Sequence, residues 1–90
     1  MSQAIVDPAE LRRFAHQLKL FNAELEDRMT TLAGQLHSLS VTWRDQEQKK
    51  FAEEFEQTIM VINRFLEVSN QHIPFLLRKA ERVEEYLHQR

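Results

Sequence analysis

Cysteine is absent from this 90-residue chain, glycine occurs once and proline twice. Without cysteine there is no disulfide, no thiol nucleophile and no thiolate metal site. So little glycine and proline leaves no material for the many tight turns of an all-β fold. Neither sign of charge dominates: 12 basic residues stand against 14 acidic ones, a net −2. That balance gives no electrostatic argument for nucleic acid or anionic lipid. No stretch approaches the roughly 20 apolar residues of a membrane span. Met1–Asp7 lacks the basic start and apolar run of a cleavable signal peptide. The expectation is a chain made in the cytoplasm, with any export following a route that needs no cleaved leader.

What is present is helix-forming. Apolar residues make up 42% of the chain and charged residues 29%, the balance of a folded protein. Asp7, Pro8 and Glu10 form a helix start, with a capping aspartate, a proline at the first helical position and an Asp-x-x-Glu box. Leu11, Phe14, Leu18, Phe21 and Leu25 then alternate three-four spacing, and Met29, Leu32, Leu36 and Leu39 continue the stripe. Arg28 and Gln35 occupy the strict heptad sites, where Met29 and Leu36 take over one residue later, as a nearly straight helix requires. Gly34 lies inside this pattern and is expected to mark close helix approach, because an interior glycine costs about 1 kcal/mol relative to alanine.

Ser38–Thr42 breaks the run of helix formers, and Thr42 with Asp45 three residues on reads as the next cap. From Ala52 through Phe55, Ile59, Ile62, Leu66, Ser69, Ile73, Leu76, Ala80 and Val83 to Leu87, a three-four seam follows with Ser69 its single polar member. It keeps phase across Pro74. One helix kinked there is expected, with a third helix folding back at Pro74 as the alternative. The spacing therefore predicts a single all-α domain over residues 1–90: a helix over about 8–39, a turn over about 40–43 and a helix over about 44–88. Such helices measure about 48 Å and about 68 Å, and a short connection makes them antiparallel.

A hairpin covers one stripe per helix, yet Leu20, Phe51, Met60, Val61, Phe65, Val68, Phe75, Leu77 and Tyr86 lie beyond the seam. Burying one such side chain fully is worth roughly 1.5–3 kcal/mol. Pairing of two hairpins into a four-helix bundle is the economical outcome. Phe51, Phe55, Ile62, Phe65 and Leu66 are the expected dimer interface, and Leu18, Leu25, Leu32 and Ile59 the expected hairpin core.

Helix, short turn with the only tryptophan, helix: Trp43-Arg44-Asp45 near mid-chain, with Phe51 eight positions on, resembles the WXG family of type VII secretion substrates. The resemblance implies a hairpin with a Trp-x-Gly turn, pairing with a copy or with a similar hairpin, and contact with secretion machinery. Asp45 stands where the family has its glycine. Secreted members often carry Tyr-x-x-x-Asp/Glu, whereas here the residue four positions after Tyr86 is Arg90.

Bland alternatives stand beside these readings. Trp43 can simply pack on the hairpin end, its ring serving as a large apolar surface. Glu85-x-x-His88 has di-iron spacing, but no second such set exists, so no metal or other cofactor is implied. Arg12-Arg13, Lys49-Lys50 and Arg78-Lys79 with Arg82 are interleaved with glutamates, as on a solvated face. No catalytic set is present. The expected function is a non-enzymatic protein–protein interaction module; the alternative is a cytoplasmic coiled-coil subunit with no export role.

Overall fold

The computed structural model describes residues 6–89. The signal-peptide reading of the first five residues, and Arg90, lie outside them. Two helices make up the described fold: α1, Pro8–Leu39, and α2, Gln46–His88, of 32 and 43 residues. They form a long hairpin with extents of 67 × 24 × 15 Å.

Each helix begins on an aspartate. Asp7 accepts from the Ala9 amide at 2.9 Å, and Pro8 occupies the first helical position. Asp45, in extended conformation, accepts from the Gln48 amide at 3.0 Å. Asp45 rather than the expected Thr42 is thus the cap of α2, and the Thr42 hydroxyl turns back to the Leu39 carbonyl. An aspartate accepts from a free N–H with a full charge near the positive helix end, an advantage threonine lacks.

The connection needs no left-handed residue; no described residue has positive φ. The amides of Ser40, Val41, Thr42 and Trp43 instead fold back onto the carbonyls of Leu36, Ser38 and Leu39, and the Ser40 hydroxyl donates to the His37 carbonyl. This tightened last turn is how the chain reverses with Asp45 in place of glycine.

The α2 seam follows the three-four register: Leu66, Ser69 and Ala80 are buried, with Phe55, Ile59, Ile62, Ile73 and Leu76 half-buried. The helix runs through Pro74 without interruption, so no third helix folds back. In α1 the phase differs from expectation. Ala15 and Asn22 are buried, while Phe14, Phe21, Leu32 and Leu39 face outward. Leu32, expected in the hairpin core, is 53% exposed. Leu18 and Leu25 stay half-buried at the seam. Small side chains permit close approach of two helix backbones, and only one stripe per helix fits between them.

At mid-seam Asn22 donates through Nδ2 to Ser69 Oγ at 2.8 Å and to Asn70 Oδ1 at 3.1 Å. Its own Oδ1 is buried and has no partner among the described residues. Toward the open end, Arg12 grips Glu84 with two bonds, 2.6 and 3.1 Å. These hydrogen bonds hold the Glu84 carboxyl below its usual range and raise Arg12. A pair so open to water chiefly fixes the relative position of the two helix ends.

Gly34 does not mark a close approach: a Cβ there meets nothing within 4 Å. Its backbone is helical, so Gly34→Ala is expected to stabilise the chain by about 1 kcal/mol. Thermal unfolding should show the midpoint rising by roughly 4–8 °C.

Candidate protein–protein interface

Two antiparallel helices leave a hairpin with two broad sides. Flanks offset in the same angular sense from each seam fall on the same side, because reversing one helix also reverses its direction of winding. On α1 one such flank carries Phe14 and Phe21, and Leu32 and Leu39 recur on it about five turns further on. On α2 the matching flank carries Phe51 and Phe65, with Tyr86 at the same heptad position. All seven side chains are exposed. The two flanks meet near the turn, where Leu32, Leu36, Leu39, Phe51 and Phe55 line one apolar hollow of about 280 Å³.

Trp43 closes this end. Its ring lies 6.3 Å from that of Phe51 at a 35° tilt, and Phe51 lies 6.0 Å from Phe55 at 30°. Offset aromatic contacts of this kind favour a fixed geometry over free rotation. The half-buried tryptophan is thus the first rung of an aromatic row that starts in the turn and continues along α2. Arg44 is exposed beside it, and Asp45 is the helix cap already described.

The opposite broad side is more polar. Ala33, His37, Ser40, Gln48, Ala52, Glu56 and Ile59 share a hollow of about 320 Å³ with Leu36 and Phe55. Met60 and Leu77 fall toward that side by helical spacing, and Leu20 falls on the outer edge of α1. The apolar excess is therefore larger on the first side, with Phe75 and Val61 exposed toward the outer edge of α2.

The sequence-predicted interface residues divide in consequence. Phe51 and Phe65 are outward, each 47% exposed. Phe55 and Ile62 are half-buried at the seam edge. Leu66 is 5% exposed and packs within the hairpin, so it belongs to the core of the single chain. Ile59, predicted for the core, is half-buried there. Sequence reasoning missed Phe14, Phe21 and Leu39 as members of this face because it placed them in the hairpin seam. It also missed Asn22, although a lone seam serine on α2 called for a polar neighbour at the same level.

Glu85 and His88 are exposed at the end of α2. Among the described residues no three His, Asp or Glu side chains gather where they could hold a metal ion. No helix among them is long and apolar enough to cross a membrane.

The family model WXG100, proteins of 100 residues with WXG, matches residues 3–86. Two solved structures of the secreted protein EsxB from Bacillus anthracis str. Sterne are similar at 26% identity. One, a glycine-to-alanine mutant, superposes with a TM-score of 0.73, over 94% of this chain and 98% of that one. The other, labelled with selenomethionine, gives 0.74 over 96% and 98%. No curated protein matches by sequence.

Proposed function

Because the chain belongs to the WXG100 family, we propose that it is a non-enzymatic interaction module of a type VII secretion system. In this reading it pairs with another helical hairpin into a four-helix bundle, and it serves as a secreted substrate or as the partner chain of one. The observation that carries the reading is the one-sided row of exposed aromatic and aliphatic side chains spanning both helices. A hairpin only 15 Å thick cannot cover that row from within, and exposed apolar side chains gathered on one side in this way mark a protein–protein contact.

The similarity to a secreted protein supports the secretion link. Tyr86 with Arg90 in place of an acid supports the role of partner chain over that of signal-bearing chain. Phe51, Phe55, Ile62 and Phe65, joined by Phe14 and Phe21, form the contact, and Trp43 shapes its end.

Sedimentation equilibrium tests the pairing. The mass is expected to rise with concentration from 10.8 kDa toward twice that value. A chain that stays monomeric at every concentration, both alone and mixed with a candidate partner hairpin, overturns the reading. Export is tested separately, by following the chain into the medium of cells carrying a type VII apparatus. Retention with and without a co-expressed partner hairpin would favour a cytoplasmic coiled-coil subunit instead.

A further inference from the structure

Partway along the hairpin, side-chain packing and backbone bonding are both weakened at one level. On α1, Asn22 is buried and its Oδ1 meets no donor among the described residues. Facing it on α2, Ser69 and Asn70 accept the two bonds from Asn22 Nδ2. One helical turn on, Pro74 lies inside α2 and has no N–H to return to the Asn70 carbonyl. A buried acceptor left unpaired and a proline in a helix interior are each unfavourable on their own. Here they fall together.

The two halves on either side of this level are held differently. Among the described residues toward the chain ends, only the small side chains Ala15 and Ala80 are buried. The Arg12–Glu84 pair that joins those ends is open to water, and a pair of that kind adds little stability. Toward the turn the seam carries bulkier groups, Phe55, Ile59, Ile62 and Leu66, and the Trp43–Phe51–Phe55 row braces its end. The connection between α1 and α2 also keeps this half together whenever its contacts open, so it re-forms at a small loop-closure cost. Once detached from α1, the last roughly 15 residues of α2 are too few to stay helical in water.

From this juxtaposition we infer that the hairpin has a joint at Asn22, Ser69 and Pro74, and that its open-end half unfolds and refolds as one unit while the turn-side half stays folded. Cooperative units of this kind, opening below the global unfolding free energy, follow local packing. The inference does not depend on the pairing proposed above, but it divides the broad apolar face. Leu39, Phe51 and Phe65 belong to the half that stays folded, and Phe14 and Tyr86 to the half that opens. A partner thus meets a preformed surface near the turn and an adjustable one near the chain ends.

Amide hydrogen exchange of the full chain tests the joint, read residue by residue on the dilute protein, and on Phe65→Glu where the wild type pairs. Amides of α1 before Asn22 and of α2 after Pro74 are expected to share one opening, with protection about tenfold or more below that of the turn-side half. The change should fall as a step at the joint. Two substitutions then separate a joint from a single cooperative unit. Gly34→Ala, on the turn side, is expected to raise protection there roughly fivefold and to leave the open-end half unchanged, because that half opens without disturbing residue 34. Glu84→Gln, in the open-end half, is expected to lower protection in both halves by the same factor, roughly two- to fivefold, because global unfolding includes that half. Protection that declines smoothly toward the chain ends overturns the inference. So does a Gly34→Ala gain that appears equally in both halves, which would make the hairpin one unit.

Discussion

Phe65→Glu is expected to leave the helices formed and to remove self-association. Phe65 is 47% exposed in the single chain and lies outside the seam residues that hold the hairpin. Its replacement therefore takes little from the monomer, and circular dichroism should show helix content unchanged. In a pair the same position is covered, and an uncompensated carboxylate there costs about 3 kcal/mol or more. That corresponds to a dissociation constant raised by roughly a hundredfold or more. A mass that still rises with concentration as in the wild type would place the contact elsewhere. Glutamate at Met60, toward the polar side, serves as the comparison and should change association little.

The second large effect is expected inside the hairpin. Asn22→Asp keeps the shape of the side chain but loses the N–H groups donated to Ser69 and Asn70, leaving the Ser69 hydroxyl to turn and donate to the new carboxylate. The new carboxylate sits at a position 3% exposed, beside the Asn70 carbonyl oxygen. A buried charge without a counter-charge costs on the order of 3 kcal/mol, against a total stability of about 5–15 kcal/mol for a domain. The melting midpoint at pH 7 should fall by roughly 10–25 °C. Burial raises the folded-state pKa of this aspartate above its unfolded value. The charge part of the deficit relative to the wild type is therefore full above the folded-state pKa, shrinks as the pH falls from there toward about 4, and is gone below that, where the unfolded-state carboxyl also binds its proton. Unfolding curves of both proteins at pH 7 and pH 3 measure that difference. An equal deficit at both pH values would mean that lost hydrogen bonds, and not charge, account for it.

These two positions also show where the sequence is readable and where it is not. The α2 seam is legible because Ala52 through Val83 offers only one regular three-four register, and that register is the one that packs. In α1 two registers compete. Leu11, Phe14, Leu18, Phe21 and Leu25 fit a helical stripe as well as Leu11, Ala15, Leu18, Asn22 and Leu25 do. Counting apolar bulk selects the first, yet the backbones approach through the second, because alanine at the contact lets them come close and the phenylalanines do not fit between them. The lone Ser69 was the available hint that a polar side chain such as Asn22 faces it.

The turn was similarly half legible. Thr42 and Asp45 both have capping chemistry, and the carboxylate prevails. Gly34 misled, since an interior glycine suggests a close contact and this one faces open space. The candidate site was legible in kind but not in membership. Surplus apolar residues on α2 pointed to a partner, but the α1 half of the face could be named only once the helix phase was known. Trp43 and Phe51 carried the family resemblance, and in three dimensions they are adjacent rings.

The slenderness of the hairpin has a consequence for passage through an aperture. A compact chain of this length has a radius of gyration of about 12 Å, whereas this rod has 20.1 Å. Seen end-on, however, its backbone outline is only 24 × 15 Å. An opening that would stop the equivalent globule admits this molecule lengthwise with its helices intact, provided it is wide enough for two helices and their side chains lying abreast. Stacking a second hairpin on the broad face leaves the length unchanged and about doubles the thin dimension. The bore of the opening, rather than the unfolding of either chain, then determines whether one hairpin or a pair can go through.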